Sequence, residues 1–131
     1  MMSPNAQTIL VVDDDLDLVL ELQVQLEAAG YRVVTAHSDK QARQVAASAR
    51  PDAAVIDLMM EEHDSGFALA HHLKRQSPEL PVILLTAVAS ETGIDFDAVT
   101  AEERAWVKAD VVLDKPVRFE TLLAQLRRLL H

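Results

Sequence analysis

Four short apolar runs, each closed by a polar residue, constrain the fold of this chain more than any other feature. Ile9-Leu10-Val11-Val12 runs into Asp13-Asp14-Asp15, and Ala53-Ala54-Val55-Ile56 into Asp57. Val82-Ile83-Leu84-Leu85 runs into Thr86, and Val111-Val112-Leu113 into Asp114-Lys115-Pro116. Runs this short, rich in Val and Ile and with little alternation, predict strands buried on both faces. A fifth run, Tyr31-Arg32-Val33-Val34-Thr35, is more mixed and suits an edge strand, where a polar residue is tolerated.

Helical periodicity fills the gaps. Val19, Leu22, Leu26 and Ala29 recur at three- and four-residue steps between Leu16 and Ala29, and Gly30 stands where a helix stops. Residues 39–49 are Ala-rich and close before Pro51; residues 67–76 carry Phe67, Ala70 and Leu73 and close before Pro78. Phe119, Leu122, Leu123, Leu126 and Leu130 form one stripe of a terminal helix, with Arg127 and Arg128 near its negative end. Strand and helix thus alternate. This predicts an α/β fold, a doubly wound five-stranded parallel sheet in the order 2-1-3-4-5 with helices on both faces, flavodoxin-like. With 131 residues the chain has room for one domain, read as 8–131 after a flexible lead-in 1–7.

Composition narrows the chemistry. Zero Cys excludes disulfides, zinc thiolates and thiol nucleophiles, and three Gly leave no Gly-rich phosphate loop. A net charge of −9 argues against direct nucleic acid binding through the overall field. No apolar run is long enough to cross a membrane, and residues 1–8 lack a signal-peptide layout, so a cytoplasmic location is expected.

In a parallel sheet all strands end on one rim, where ligands of open α/β sheets bind. Asp13, Asp14, Asp57, Thr86 and Lys115 all fall at or just past such ends. Two carboxylates about 4 Å apart repel by roughly 4 kcal/mol at an effective dielectric near 20, so three need a compensating cation. Oxygen ligands without Cys or His select a hard ion, and Mg²⁺ fits best. Lys115 adds an ammonium and Thr86 a hydroxyl. Together they describe a phosphoryl-transfer site with Asp57 as nucleophile and an aspartyl phosphate as intermediate.

These residues, in this order and each at a strand end, resemble the receiver domain of two-component response regulators over essentially the whole chain. The resemblance implies Mg²⁺ binding by Asp13 and Asp14 with Asp57, completed by the backbone carbonyl of Met59. It implies that Asp57 is the phosphoacceptor, with Thr86, Lys115 and the backbone N–H of Ala87 on the transferred phosphoryl, and a cis Lys115–Pro116 bond. It also implies a sensor histidine kinase or histidine-phosphotransfer protein as donor, and a downstream protein target on the fourth and fifth helices and fifth strand. A monomer or weak homodimer is expected, acting free-standing or as a piece of a longer protein. Such a domain is a signalling phosphoacceptor that catalyses its own phosphorylation and slow dephosphorylation.

The departures from the family pattern are specific. Val112 stands where receivers carry Tyr or Phe, and Glu61 where a Pro commonly follows the two Met. The loop from Met60 to Gly66 is slightly long, and the stretch 87–110 is longer than usual and holds Phe96 and Trp106. Either aromatic is expected to replace the missing switch residue. Met59 and Val88, two past the phosphoacceptor and two past the Thr, are apolar and imply slow self-dephosphorylation.

Other readings attach to the same residues. Asp13-Asp14-Asp15 read alone is a helix cap, and Asp15 keeps that role in the joint pattern. The triplet also fits a Mg²⁺-dependent haloacid-dehalogenase-like phosphatase, with Asp13 as nucleophile and Asp15 as acid. His71-His72-Leu73-Lys74 resembles the active segment of histidine-phosphotransfer domains, but those are helical bundles and this chain has strands.

Overall fold

The runs without alternation become strands because both of their faces are covered. The computed structural model describes residues 6–58, 65–86 and 110–130. Five strands, β1 (Thr8–Val12), β2 (Arg32–Ala36), β3 (Ala53–Asp57), β4 (Val82–Thr86) and β5 (Val111–Asp114), pair in parallel in the order β2-β1-β3-β4-β5. The central strands β3 and β4 are buried at every residue, whereas β2 and β5 at the edges are partly exposed. The order and the edge position of the mixed second run agree with the expectation.

Successive side chains feed two cores. Leu10, Val12, Ala54, Ile56, Val82 and Leu84 pack with Ala42 of α2 (Asp39–Ala49) and with Leu69 and Leu73 of α3 (Ser65–Gln76). Ile9, Val11, Val55, Ile83 and Leu85 pack with Val19, Leu22 and Leu26 of α1 (Leu16–Ala28) and with Leu122 and Leu126 of α4 (Phe119–Leu130). Here α4 is the expected terminal helix. Helix α3 starts at Ser65, slightly before the apolar periodicity suggests.

Local chemistry sets the helix ends. The Asp15 carboxylate accepts from the backbone N–H groups of Asp17 and Leu18 and caps α1. At the other end Gly30 takes φ +100°, a conformation that a Cβ would disfavour. Its N–H donates to Glu27 O, and that of Tyr31 to Leu26 O, closing the helix with the paired bonds of a Schellman turn. Along the outer face of α1, Leu16, Leu20 and Val24 form an exposed apolar ridge.

Gln7, the last residue of the expected lead-in, accepts from the Arg32 N–H at 2.9 Å and donates through Nε2 to Leu130 O at 3.0 Å. The Met59 carbonyl, the Ala87 N–H, Glu61, Val88, Phe96 and Trp106 lie outside the described residues. Among the described residues no helix is long and apolar enough to cross a membrane.

Candidate functional site

Ladder hydrogen bonds continue one rung past the strands and thereby fix the rim. The Asp13 N–H donates to Ala36 O at 3.2 Å, the Leu58 N–H to Leu85 O at 2.8 Å and the Lys115 N–H to Thr86 O at 2.8 Å. The backbone positions of Asp13, Asp57 and Lys115 are thus set by the sheet itself. The Lys115–Pro116 bond is cis, as the family resemblance implies.

Five of the residues singled out from the sequence meet on this rim. Asp13, Asp57 and Thr86 are buried, with relative exposures of 1%, 4% and 0%. Asp14 is exposed, and a carboxylate oxygen from each of Asp13, Asp14 and Asp57 lies within 4.8 Å of the others. The Lys115 ammonium donates to Asp13 Oδ2 at 2.9 Å and stands 3.3 Å from Asp57 Oδ1. Asp13 Oδ1 accepts from the Asp15 N–H at 2.9 Å, so both oxygens of Asp13 are engaged. Thr86 ends β4 one residue past Leu85, the cross-strand partner of Asp57.

The electrostatics follow from this crowding. Asp14 is exposed overall, but partial desolvation of its carboxyl at the crowded rim, then the neighbouring Asp13 charge and a hydrogen bond to Asp13, push it above its ordinary value; a backbone hydrogen bond and Lys115 only partly oppose them. Burial pulls the Lys115 ammonium down, but its hydrogen bond to Asp13 and the charges of Asp57 and Asp13 outweigh that and raise it. Three carboxylates around one ammonium leave a deficit of two positive charges. A divalent cation would supply that charge, and an all-oxygen donor set suits a hard one such as Mg²⁺.

Gly66 is a site residue that the sequence reading did not single out. A Cβ there would lie 2.5 Å from Asp57 O and from Leu58 Cα, so the start of α3 presses on the backbone that carries Asp57. In a chain with three Gly, its place in the loop after the third strand was the available signal.

The phosphatase alternative is not supported. It needs Asp15 as an acid beside Asp13, but the Asp15 carboxylate is committed to the first N–H groups of α1. The third carboxylate of the cluster comes instead from β3, as Asp57.

Comparison with known proteins gives the same picture. Residues 9–127 match the family described as response regulator receiver domain. The chain is 40% identical over 125 residues to response regulator MprA of Mycobacterium ulcerans, covering 94% of this chain and 50% of that protein. The same identity and coverage hold for response regulator MprA of Mycobacterium tuberculosis. The chain therefore spans about half the length of these relatives. Among solved structures, chemotaxis response regulator CheY4 of Vibrio cholerae superposes with a TM-score of 0.78 at 30% identity, covering 96% of this chain and 100% of that one. Response regulator TrrA of Thermotoga maritima, solved in complex with Mg²⁺ and BeF, gives a TM-score of 0.74 at 25% identity and covers 95% of this chain and 99% of that one.

Proposed function

The chain belongs to the response regulator receiver domain family, and we propose that Asp57 is the residue that accepts the phosphoryl group. The carrying observation is that a buried Asp57 carboxylate shares its rim with two further carboxylates and the Lys115 ammonium, 3.3 Å away. Receiver domains are phosphorylated by histidine kinases. The donor here is a phosphohistidine of a sensor kinase or of a histidine-phosphotransfer protein.

In the step, an Asp57 carboxylate oxygen attacks phosphorus in line. The new O–P bond forms as the P–N bond to the donor imidazole breaks, and the imidazole nitrogen keeps the electron pair. Asp13, Asp14 and Asp57 would hold Mg²⁺, with the Met59 carbonyl completing its ligands. When bound, the ion neutralises charge on the phosphoryl oxygens. Lys115, 3.3 Å from Asp57 Oδ1, would stabilise the negative charge of the phosphoryl oxygens as the group joins Asp57. The Thr86 hydroxyl and the Ala87 N–H donate to the transferred group.

Phosphorylation then shifts a population between two conformations of the face that includes β5 and α4. Val112 replaces the usual aromatic on β5, so the readout runs through other groups, with Phe96 or Trp106 in that role. Met59 and Val88 give slow self-dephosphorylation, since neither side chain orients water. The domain spans 8–131, acts in the cytoplasm as a monomer or weak homodimer and binds no nucleic acid directly. The ridge of Leu16, Leu20 and Val24 begins directly after the acidic triplet. It offers a protein phosphodonor an apolar surface beside the rim.

Labelling by acetyl phosphate tests the assignment. Wild type is expected to incorporate one phosphoryl group in Mg²⁺ and none in EDTA, and Asp57→Asn none in either. Equal labelling of Asp57→Asn would overturn the assignment.

A further inference from the structure

The cleft between α2 and α3 is used by none of this chemistry. Two adjoining hollows of about 550 and 670 Å³ share Arg43, His72 and Gln76. The first also takes in His71 and Arg75, and the second adds Arg50. Among the described residues no Asp or Glu lines either hollow, although the chain carries a net charge of −9. Arg43 has one nitrogen, Nε, on Asp39 at 2.8 Å. Among the described residues neither Arg50 nor Arg75 forms an ion pair. The cationic groups are close enough to act on one another. Burial and then the Arg43 charge hold the His72 imidazole below its ordinary value, with Arg75 and His71 acting the same way and Asp39 opposing them.

We propose that the α2–α3 cleft binds an organic phosphate, its charged head on Arg43 and Arg75 and its apolar body toward Leu73 and Leu80. Guanidinium forks match the planes of phosphate oxygens, and clustered positive charge is relieved by an anion. The second hollow has an apolar floor of Ala46, Pro51, Leu73 and Leu80, which a bare phosphate would leave uncovered. The volumes lie within the range of small-molecule sites, about 300–1,000 Å³. His71 and His72 extend the donor set at the charged end, which gives this pair a use outside the discarded phosphotransfer reading.

ADP, pyrophosphate and adenosine serve as probes, titrated in EDTA so that no metal complex forms at the acidic rim. The full chain and its Asp57→Asn variant are followed by calorimetry and by amide chemical shifts. Binding of ADP, tighter than pyrophosphate and with adenosine undetected, is expected, with shifts on α2 and α3 in both chains. Arg75→Gln removes an exposed side chain and should weaken ADP about tenfold, the worth of one charge-assisted hydrogen bond, at an unchanged unfolding temperature. Arg43→Gln should weaken it at least as much. Three results would each overturn the proposal: no ADP binding at millimolar concentration, equal affinity of Arg75→Gln and wild type, or pyrophosphate binding as tightly as ADP.

Discussion

Lys115 sits closer to Asp13 than to Asp57: its ammonium donates to Asp13 Oδ2 at 2.9 Å and stands 3.3 Å from Asp57 Oδ1. The lysine therefore ties the first and fifth strands together across the rim while it faces the nucleophile. Lys115→Met leaves two buried carboxylates without their shared cation and is expected to lower stability by about 1–3 kcal/mol, read in urea melts. Acetyl-phosphate labelling should fall strongly, while Mg²⁺ affinity holds or rises because the ammonium no longer competes. The pH dependence carries a sign. The folded value is raised above the ordinary 10.5, so the contribution is complete below that value and fades as pH climbs through the higher folded one. The gap in stability between wild type and Lys115→Met should close over that alkaline window.

Asp14 behaves in the opposite sense. Its carboxyl is raised by partial desolvation at the rim and by Asp13, so its ionised form costs the metal-free fold stability at neutral pH. That cost is relieved as pH falls through the raised folded value toward the ordinary 3.8. Asp14→Asn should therefore raise the unfolding temperature in EDTA and lose the further rise that Mg²⁺ gives wild type. A lower unfolding temperature for Asp14→Asn in EDTA would contradict this electrostatic account.

Gly66 is a matter of space. A Cβ there meets backbone atoms of Asp57 and Leu58 that cannot swing aside. Gly66→Ala is expected to cost about 1–3 kcal/mol as an overpacking change. Because the displaced atoms belong to the phosphoacceptor's own backbone, labelling should also slow under conditions where the variant remains folded.

Asp110 closes the return of the chain from the long fourth connection. Its Oδ2 accepts from the Val82 N–H at 2.8 Å and pairs with Lys74 at 2.8 Å, while its own N–H donates to Val82 O at 2.9 Å. Asp110→Ala strands the Val82 N–H and should cost about 1 kcal/mol, discounted from the fully buried case because the side chain is 34% exposed. Asp110→Asn keeps an acceptor for Val82 and should cost less. Chemical denaturation of both variants separates the hydrogen bond from the charge.

Much of the fold and the heart of the site could be read from residue order. Apolar runs without alternation require cover on two faces, and their shared direction brings every run's polar ending to one rim. That reasoning reaches Asp13, Asp14, Asp57, Thr86 and Lys115 with no contact known. Asp15 as a cap and Gly30 as a helix stop were equally accessible, because both act through neighbours within a few residues. The bounds of α3 shifted, since periodicity marks the buried face of a helix and not its first turn.

The rest depends on distances between residues far apart in the chain. Lys115 and Asp13 are separated by 102 positions, and which carboxylate the ammonium prefers depends on how β1 and β5 are staggered. Gly66 matters only because α3 lies against the end of β3. Arg43 and Arg75 join one cleft only because α2 and α3 pack side by side on the same face of the sheet. Pattern along the chain determines which residues are buried and which rim they reach. The packing of whole elements decides which charges meet, because Coulomb forces and steric overlap act through space.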